Sequence, residues 1–204
     1  NFSDNAEELN RLVQAFLWCV PASIVEEFPD IGLSYHSQLT AALAQTLYLY
    51  HQEQGTFESD SIYNEKEKKW RILYGDLSGI QQFIHNTKLE SRKNAAKILR
   101  GRSQYVDFLI EAVIKNVLEV FNLSHPCILQ QTGGNFKILL PNTPSADDQI
   151  LKIIKILEKD SLIKHLGLLS VLLHPGQPFS AEDMKINVQG SSLKRIISQD
   201  YEKL

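Results

Sequence analysis

Residues 73–81 read LYGDLSGIQ: a short apolar strand runs into Asp76, then Ser78 and Gly79, then the start of a helix. An acid at the end of a strand, followed by glycines that let the backbone approach closely, is a common way to hold a metal-nucleotide or a phosphate. Further along, residues 130–140 read QQTGGNFKILL and predict an apolar hairpin with Gly133, Gly134 and Asn135 in its turn. A sheet that brought these two segments together would form a nucleotide site.

The flanking pattern supplies such a sheet. WRILYG (70–75) predicts a buried strand, and residues 103–121 a helix with Val106, Leu109, Ile110, Val113, Val117 and Leu118 inward. PCILQQ (126–131) and NFKILL (135–140) predict the two strands of the hairpin. Pro141 and Pro144 break the sheet, residues 147–159 repeat Ile150, Ile153, Ile154 and Leu157 at helical spacing, and GLLSVLLH (167–174) predicts a last strand. The order βαββαβ predicts an α+β, ferredoxin-like fold, an antiparallel sheet with both helices on one face. Residues 180–204 read as a further helical tail.

Upstream, Asp4 to Glu7 has capping-box spacing, and Leu9, Leu12, Val13, Phe16, Leu17 and Val20 repeat at helical period up to Pro21. A second helix is predicted over residues 37–52, with Leu39, Leu43, Leu47 and Tyr50 on one face. Residues 53–69 are polar and charged without periodicity, as expected of a linker. The expected organisation is therefore a helical unit over 1–55, a linker over 56–69 and the ferredoxin-like domain over 70–204.

With 204 residues, 43% of them apolar and 22% charged, the chain is long enough to bury a core and is neither disordered nor a coiled coil. Cys19 and Cys127 sit in apolar company, as reduced core thiols do, and no metal cluster is expected. No apolar run approaches the ~20 residues that span a bilayer, and the start lacks a signal pattern, so a cytoplasmic protein without a membrane partner is expected. A net charge of -3 excludes a wholly basic nucleic-acid binder but leaves room for a local basic patch.

The segments LYGDLSGIQQFI, AAKILRGRSQYVDFLIEA and TGGNFKILLPNT, in this order, resemble the first Palm domain of the large subunit of type III CRISPR effector complexes, the III-A branch most closely. Residues 31–50 are similar to the closing helices of the HD domain that precedes that Palm. The resemblance implies a subunit that engages target RNA through its complex with other subunits and guide RNA. It also implies cleavage of single-stranded DNA by the HD domain and joining of ATP into cyclic oligoadenylates between two Palm domains, with Mg²⁺ or Mn²⁺ in the intact protein. The family's catalytic Gly-Gly-Asp-Asp turn and its HD pair are absent here: the turn reads Gly133-Gly134-Asn135-Phe136, and Tyr35 precedes His36 where an acid is usual. The resemblance thus implies an ATP-binding half-site with no catalytic residue of its own, lined by Asp76, Ser78, Gly79, Gly133, Gly134 and Asn135.

Each candidate has an ordinary alternative. Asp76 also suits a helix N-cap, and Ser78, Gly79, Gly133, Gly134 and Asn135 also suit plain turns. Lys88, Arg92, Lys93, Lys97, Arg100 and Arg102 form a basic run in which Lys93, Lys97 and Arg100 share one helical face. Lys93, Lys97, Arg100 and Arg102 are candidate contacts to triphosphate or nucleic-acid backbone, or simply a solvated face. His36 without partners reads as a structural histidine. An architectural module that docks RNA and neighbouring subunits, and a stand-alone nucleotide cyclase, are the rival functions; the cyclase is disfavoured because Asn135 replaces a carboxylate.

Overall fold

The computed structural model describes residues 2–25, 31–85, 94–165, 168–185 and 191–201. Its spine is strand β1 (Trp70–Ser78), in which Trp70 to Gly75 and Leu77 are buried. A strand apolar on both faces belongs in the middle of a sheet, and β1 pairs antiparallel with β3 (Asn135–Pro141) on one side and β4 (Ser170–Pro175) on the other. β2 (Ile128–Thr132) pairs antiparallel with β3, giving the order β2-β3-β1-β4. Helices α4 (Ile80–His85) and α5 (Ala95–Val120) connect β1 to β2, and α6 (Pro144–His165) connects β3 to β4. This is the ferredoxin-like sheet that the strand and helix order predicts. The helices before β1 are α1 (Phe2–Leu17), α2 (Leu33–Gln54) and α3 (Ser59–Ile62).

Alternation along the strands sorts side chains between two faces. Leu73, Gly75 and Leu77 of β1 stand beside Phe136, Ile138 and Leu140 of β3, and they share one core with Val106, Ile110, Val113 and Val117 of α5 and Ile150 and Ile153 of α6. Gly75 is a packing glycine, since a Cβ there would overlap the Phe136 ring. Arg71, also buried, is held by Asn142 Oδ1 at 3.0 and 2.7 Å and by the Asp147 carboxylate in the first turn of α6. That pairing fixes the α6 N-terminus to the sheet, and the acid there also suits the helix dipole.

Several boundaries differ from the sequence reading, with α2 and α6 longer at both ends than expected. β1 runs on to Ser78, so Asp76 lies within the strand rather than at its tip. α5 starts at Ala95, because Lys97, Arg100 and Gly101 conceal its first turns from a search for apolar periodicity. The short α4 carries too few residues to show a period at all.

The stretch expected as a linker is packed. Lys69 is only 1% exposed, its ammonium donates to the carbonyls of Ser61 and Ile62 at the end of α3, and Glu67 lies 3.6 Å away. Glu67 in turn accepts from the Tyr50 hydroxyl on α2 at 2.9 Å. Order here comes from charge-assisted hydrogen bonds rather than an apolar stripe, which is why the segment shows no periodicity. α2 reaches the sheet as well: Gln38 donates to the Ile128 carbonyl at 2.8 Å, and Ala42 is fully buried.

Beyond β4 the chain crosses to the other face of the sheet. Phe179 exchanges backbone hydrogen bonds with Trp70 and stacks on its ring, and Ser180 with Asp183 forms a capping box that starts α7 (Ala181–Met184). α8 (Ser192–Tyr201) packs Leu193, Ile196 and Ile197 on the core and sets Tyr201 edge-on to Tyr74, ring centroids 5.5 Å apart. The buried Asp200 accepts from the Gln177 N–H at 3.0 Å, tying α8 to the turn after β4. Tyr74 is buried, and burial together with the Asp200 charge raises its pKa.

Two substitutions separate a packing glycine from an open one. Gly75→Ala should lower stability by about 1–3 kcal/mol through overpacking, whereas Gly101→Ala, whose Cβ would meet nothing within 4 Å, should raise it by about 0.5–1 kcal/mol; urea midpoints decide both. Burial, then Glu67, pushes the Tyr50 pKa up from 10.0 to about 12. The folded state therefore keeps a proton that the unfolded state loses, and stability should fall as pH rises through that window. Tyr50→Phe should reduce this fall in pH-dependent unfolding curves.

Candidate nucleotide-binding site

The sheet register makes Asp76 and Asn135 direct cross-strand partners. Side chains so placed stand about 4.5–5.5 Å apart at Cβ on the same face. Extending the register gives a row across all four strands, Thr132, Asn135, Asp76 and Leu172, followed by a second row, Gln130, Lys137, Tyr74 and His174. Ser78, exposed at the end of β1, pairs with Ser170. Asp76 is half-buried while Thr132, Asn135 and Leu172 are exposed. The first row is thus a polar, open patch of sheet, and in the second row Tyr74 is buried against Tyr201 of α8.

The two motifs are tied together by the backbone. Leu77 N–H donates to the Gly134 carbonyl at 2.9 Å, so the end of β1 holds the tip of the hairpin directly. Gly133 has φ 58°, as the first central residue of a type II′ turn requires. Gly134 is buried where a Cβ would press on Ile80, and Gly79, with φ 88°, lies against the Leu168 carbonyl. These three glycines have geometric reasons of their own. Asn135 closes the turn and opens β3, opposite Thr132, rather than occupying one of its two central positions. Asp76 is not an N-cap, since α4 begins at Ile80 and Gly79 lies between them.

The basic run divides. Lys97 and Arg100 are exposed on the first turns of α5, Arg100 donating only to the Ala96 carbonyl one turn back at 3.3 Å. Arg102 points inward: it donates to the Phe83 and Ile84 carbonyls at 2.8 and 3.2 Å and lies over the Phe83 ring at 5.6 Å. It serves as a cap on the C-terminal carbonyls of α4, a different use from the phosphate contact expected of it. Lys93, with Lys88 and Arg92, lies outside the described residues. His36 is exposed on α2, and among the described residues no three His, Cys, Asp or Glu side chains cluster as a metal site.

Gln130, Thr132, Lys137 and His174 are not among the site residues that the sequence singles out. Their signal is the register: once Asp76 faces Asn135, every second residue of β1, β3 and β4 shares their face, as do Thr132 and Gln130 on the near side of the irregularity in β2.

Residues 69–203 match the family model for Csm1 subunit domain B. The chain belongs to the Csm1 family. It is 31% identical to the Streptococcus thermophilus CRISPR system single-strand-specific deoxyribonuclease Cas10/Csm1 (subtype III-A), over 97% of this chain and 26% of that protein. With the Mycobacterium tuberculosis protein of the same description it is 37% identical, over 68% of this chain and 18% of the relative. The chain thus spans about a quarter or less of the curated relatives it matches. The fold agrees with crystal structures of Csm1 from T. onnurineus (TM-score 0.84, 23% identity, 98% of this chain and 27% of that one) and of a Csm1–Csm4 cassette with cA3 (TM-score 0.84, 24% identity, 98% and 26%). Another such cassette carries one ATP (TM-score 0.76, 23% identity, 96% and 25%). No described helix of this Csm1 domain is long and apolar enough to cross a membrane.

If Arg102 is an α4 cap, Arg102→Met should cost about 1–2 kcal/mol of stability. Lys97→Met and Arg100→Met should stay within about 0.5 kcal/mol, as surface changes do. Chemical denaturation of the three variants checks the contrast.

Proposed function

We propose that this chain is the ATP-binding Palm half of a type III CRISPR effector large subunit, acting in antiviral defence. The intact protein makes cyclic oligoadenylates in a composite site when its complex, with neighbouring subunits and guide RNA, engages target RNA. Residues 1–55 are then the end of an HD-like domain and residues 70–204 the Palm.

The observation that carries this reading is the pairing of Asp76 with Asn135 on an open sheet face. A carboxylate and an amide side by side offer acceptors to ribose hydroxyls and both donor and acceptor to an adenine edge, and the exposed Leu172 in the same row offers an apolar surface to a base. An open face covers one side of a nucleotide only, so a second surface must close the site, as a composite of two Palms would. The family match and the nucleotides bound in solved Csm1–Csm4 cassettes support the assignment.

Asp76 is a single carboxylate with an amide neighbour, and that donor set does not make a two-metal centre, which needs several carboxylates. Mg²⁺ or Mn²⁺ therefore belongs with the nucleotide or with the other half of the site. The exposed Lys97 and Arg100 favour a further role, contact with RNA backbone, whose affinity would fall with salt and ignore ATP.

In the full-length protein titrated with ATP and Mg²⁺, Asp76→Ala and Asn135→Ala should each weaken binding roughly tenfold, as loss of ligand hydrogen bonds does, and reduce product yield. Unchanged affinity and yield in both variants would remove Asp76 and Asn135 from the nucleotide site.

A further inference from the structure

The second row of the open face contains a cation without an acid. Lys137 stands two residues along β3 from Asn135, hence on the same face, and is paired with Tyr74, the neighbour of Asp76 two residues back along β1. Lys137 is thereby a diagonal neighbour of Asp76, within reach of a long side chain. Among the strand residues of this face it is the one Lys or Arg, because Arg71 points to the opposite face and is occupied by Asn142 and Asp147. Its ammonium lies 4.7 Å from the centre of the Tyr201 ring.

That placement is specific. A cation over an aromatic face is held by the ring quadrupole while its N–H donors stay largely free. Among the described residues the Lys137 ammonium makes no ion pair or hydrogen bond. The usual partner of a surface lysine is thus replaced by a neutral ring, which fixes the position of the charge without cancelling it. Tyr201 is itself positioned by its edge contact with Tyr74, so the last turn of α8, β1 and β3 jointly set where the charge sits. Beside it, Asp76 would repel any phosphate laid along the first row.

We propose that Lys137, held by Tyr201, is the phosphate-side anchor of this half-site. It sets the direction in which a bound nucleoside triphosphate lies, with its sugar and base on the Asp76–Asn135 row and its anionic tail toward α8. This rests on the nucleotide reading of the same face, and it adds a positioning residue and a polarity to it. The ligand class is a nucleoside polyphosphate rather than a nucleoside, because an uncancelled ammonium adds affinity only for the charged part.

The test compares ATP with adenosine on the full-length protein. Lys137→Met should weaken ATP binding about tenfold, leave adenosine unchanged and flatten the salt dependence of ATP affinity, whereas Lys137→Arg should stay within about threefold of the wild type for both ligands. Tyr201→Leu should give an intermediate loss confined to ATP, with Tyr201→Phe near normal because the ring is kept. Urea midpoints matched to the wild type exclude misfolding, and the Arg and Phe variants remain informative if the others are unstable. An equal loss for ATP and adenosine, or no loss for either, overturns the anchor even where Asp76→Ala abolishes binding. If Asp76→Ala and Asn135→Ala leave both affinities intact, the underlying nucleotide reading falls and the anchor with it.

Discussion

The antiparallel pairing of β1 with β3 is the constraint on which the rest of the structure depends. It is the central seam of the sheet, running without a break from Trp70 opposite Pro141 to Asp76 opposite Asn135. Because side chains alternate, a slip of one residue would turn Leu73 and Leu77 toward the open face and send Asp76 into the core. The apolar burial of Leu73, Phe136, Ile138 and Leu140 therefore dictates where the polar row stands. Stability and site geometry are set by one register.

Much of this was legible in the chain. Apolar runs bounded by glycine and proline marked the strands, and helical repeats of Val, Ile and Leu marked the cores of α5 and α6, so the order of elements and the ferredoxin-like class followed directly. Asp76 and Asn135 were also singled out, although not as direct cross-strand partners. Registers between strands far apart in sequence are not written in local patterns, and so Lys137 was not picked for the site although it is one alternation along β3 from Asn135, while Gln130 and His174 join the face only through cross-strand pairing.

The remaining differences have one cause, polar groups whose partners lie elsewhere in the fold. Arg102 looked like a free phosphate ligand, but it is occupied by carbonyls at the end of the short helix that follows Gly79. Residues 56–69 looked like a linker because nothing local announces that Lys69 will be buried among the carbonyls of Ser61 and Ile62. Charge in a sequence shows that a group needs a partner, not whether that partner is water, a ligand or the protein itself. The glycines teach the converse: Gly75 and Gly134 are demanded by neighbouring side chains, while Gly101 meets nothing in the described chain.

The hydrogen bond from Leu77 to the Gly134 carbonyl has a mechanical meaning. A hairpin tip is ordinarily the loosest part of a sheet, free to swing on its two strands. Here it is stitched to the central strand one residue beyond Asp76, so the tip and the acidic row travel as a single stiff plate. Any displacement imposed on the hairpin by a neighbouring body would be handed on to Asp76 whole rather than dissipated in the bend.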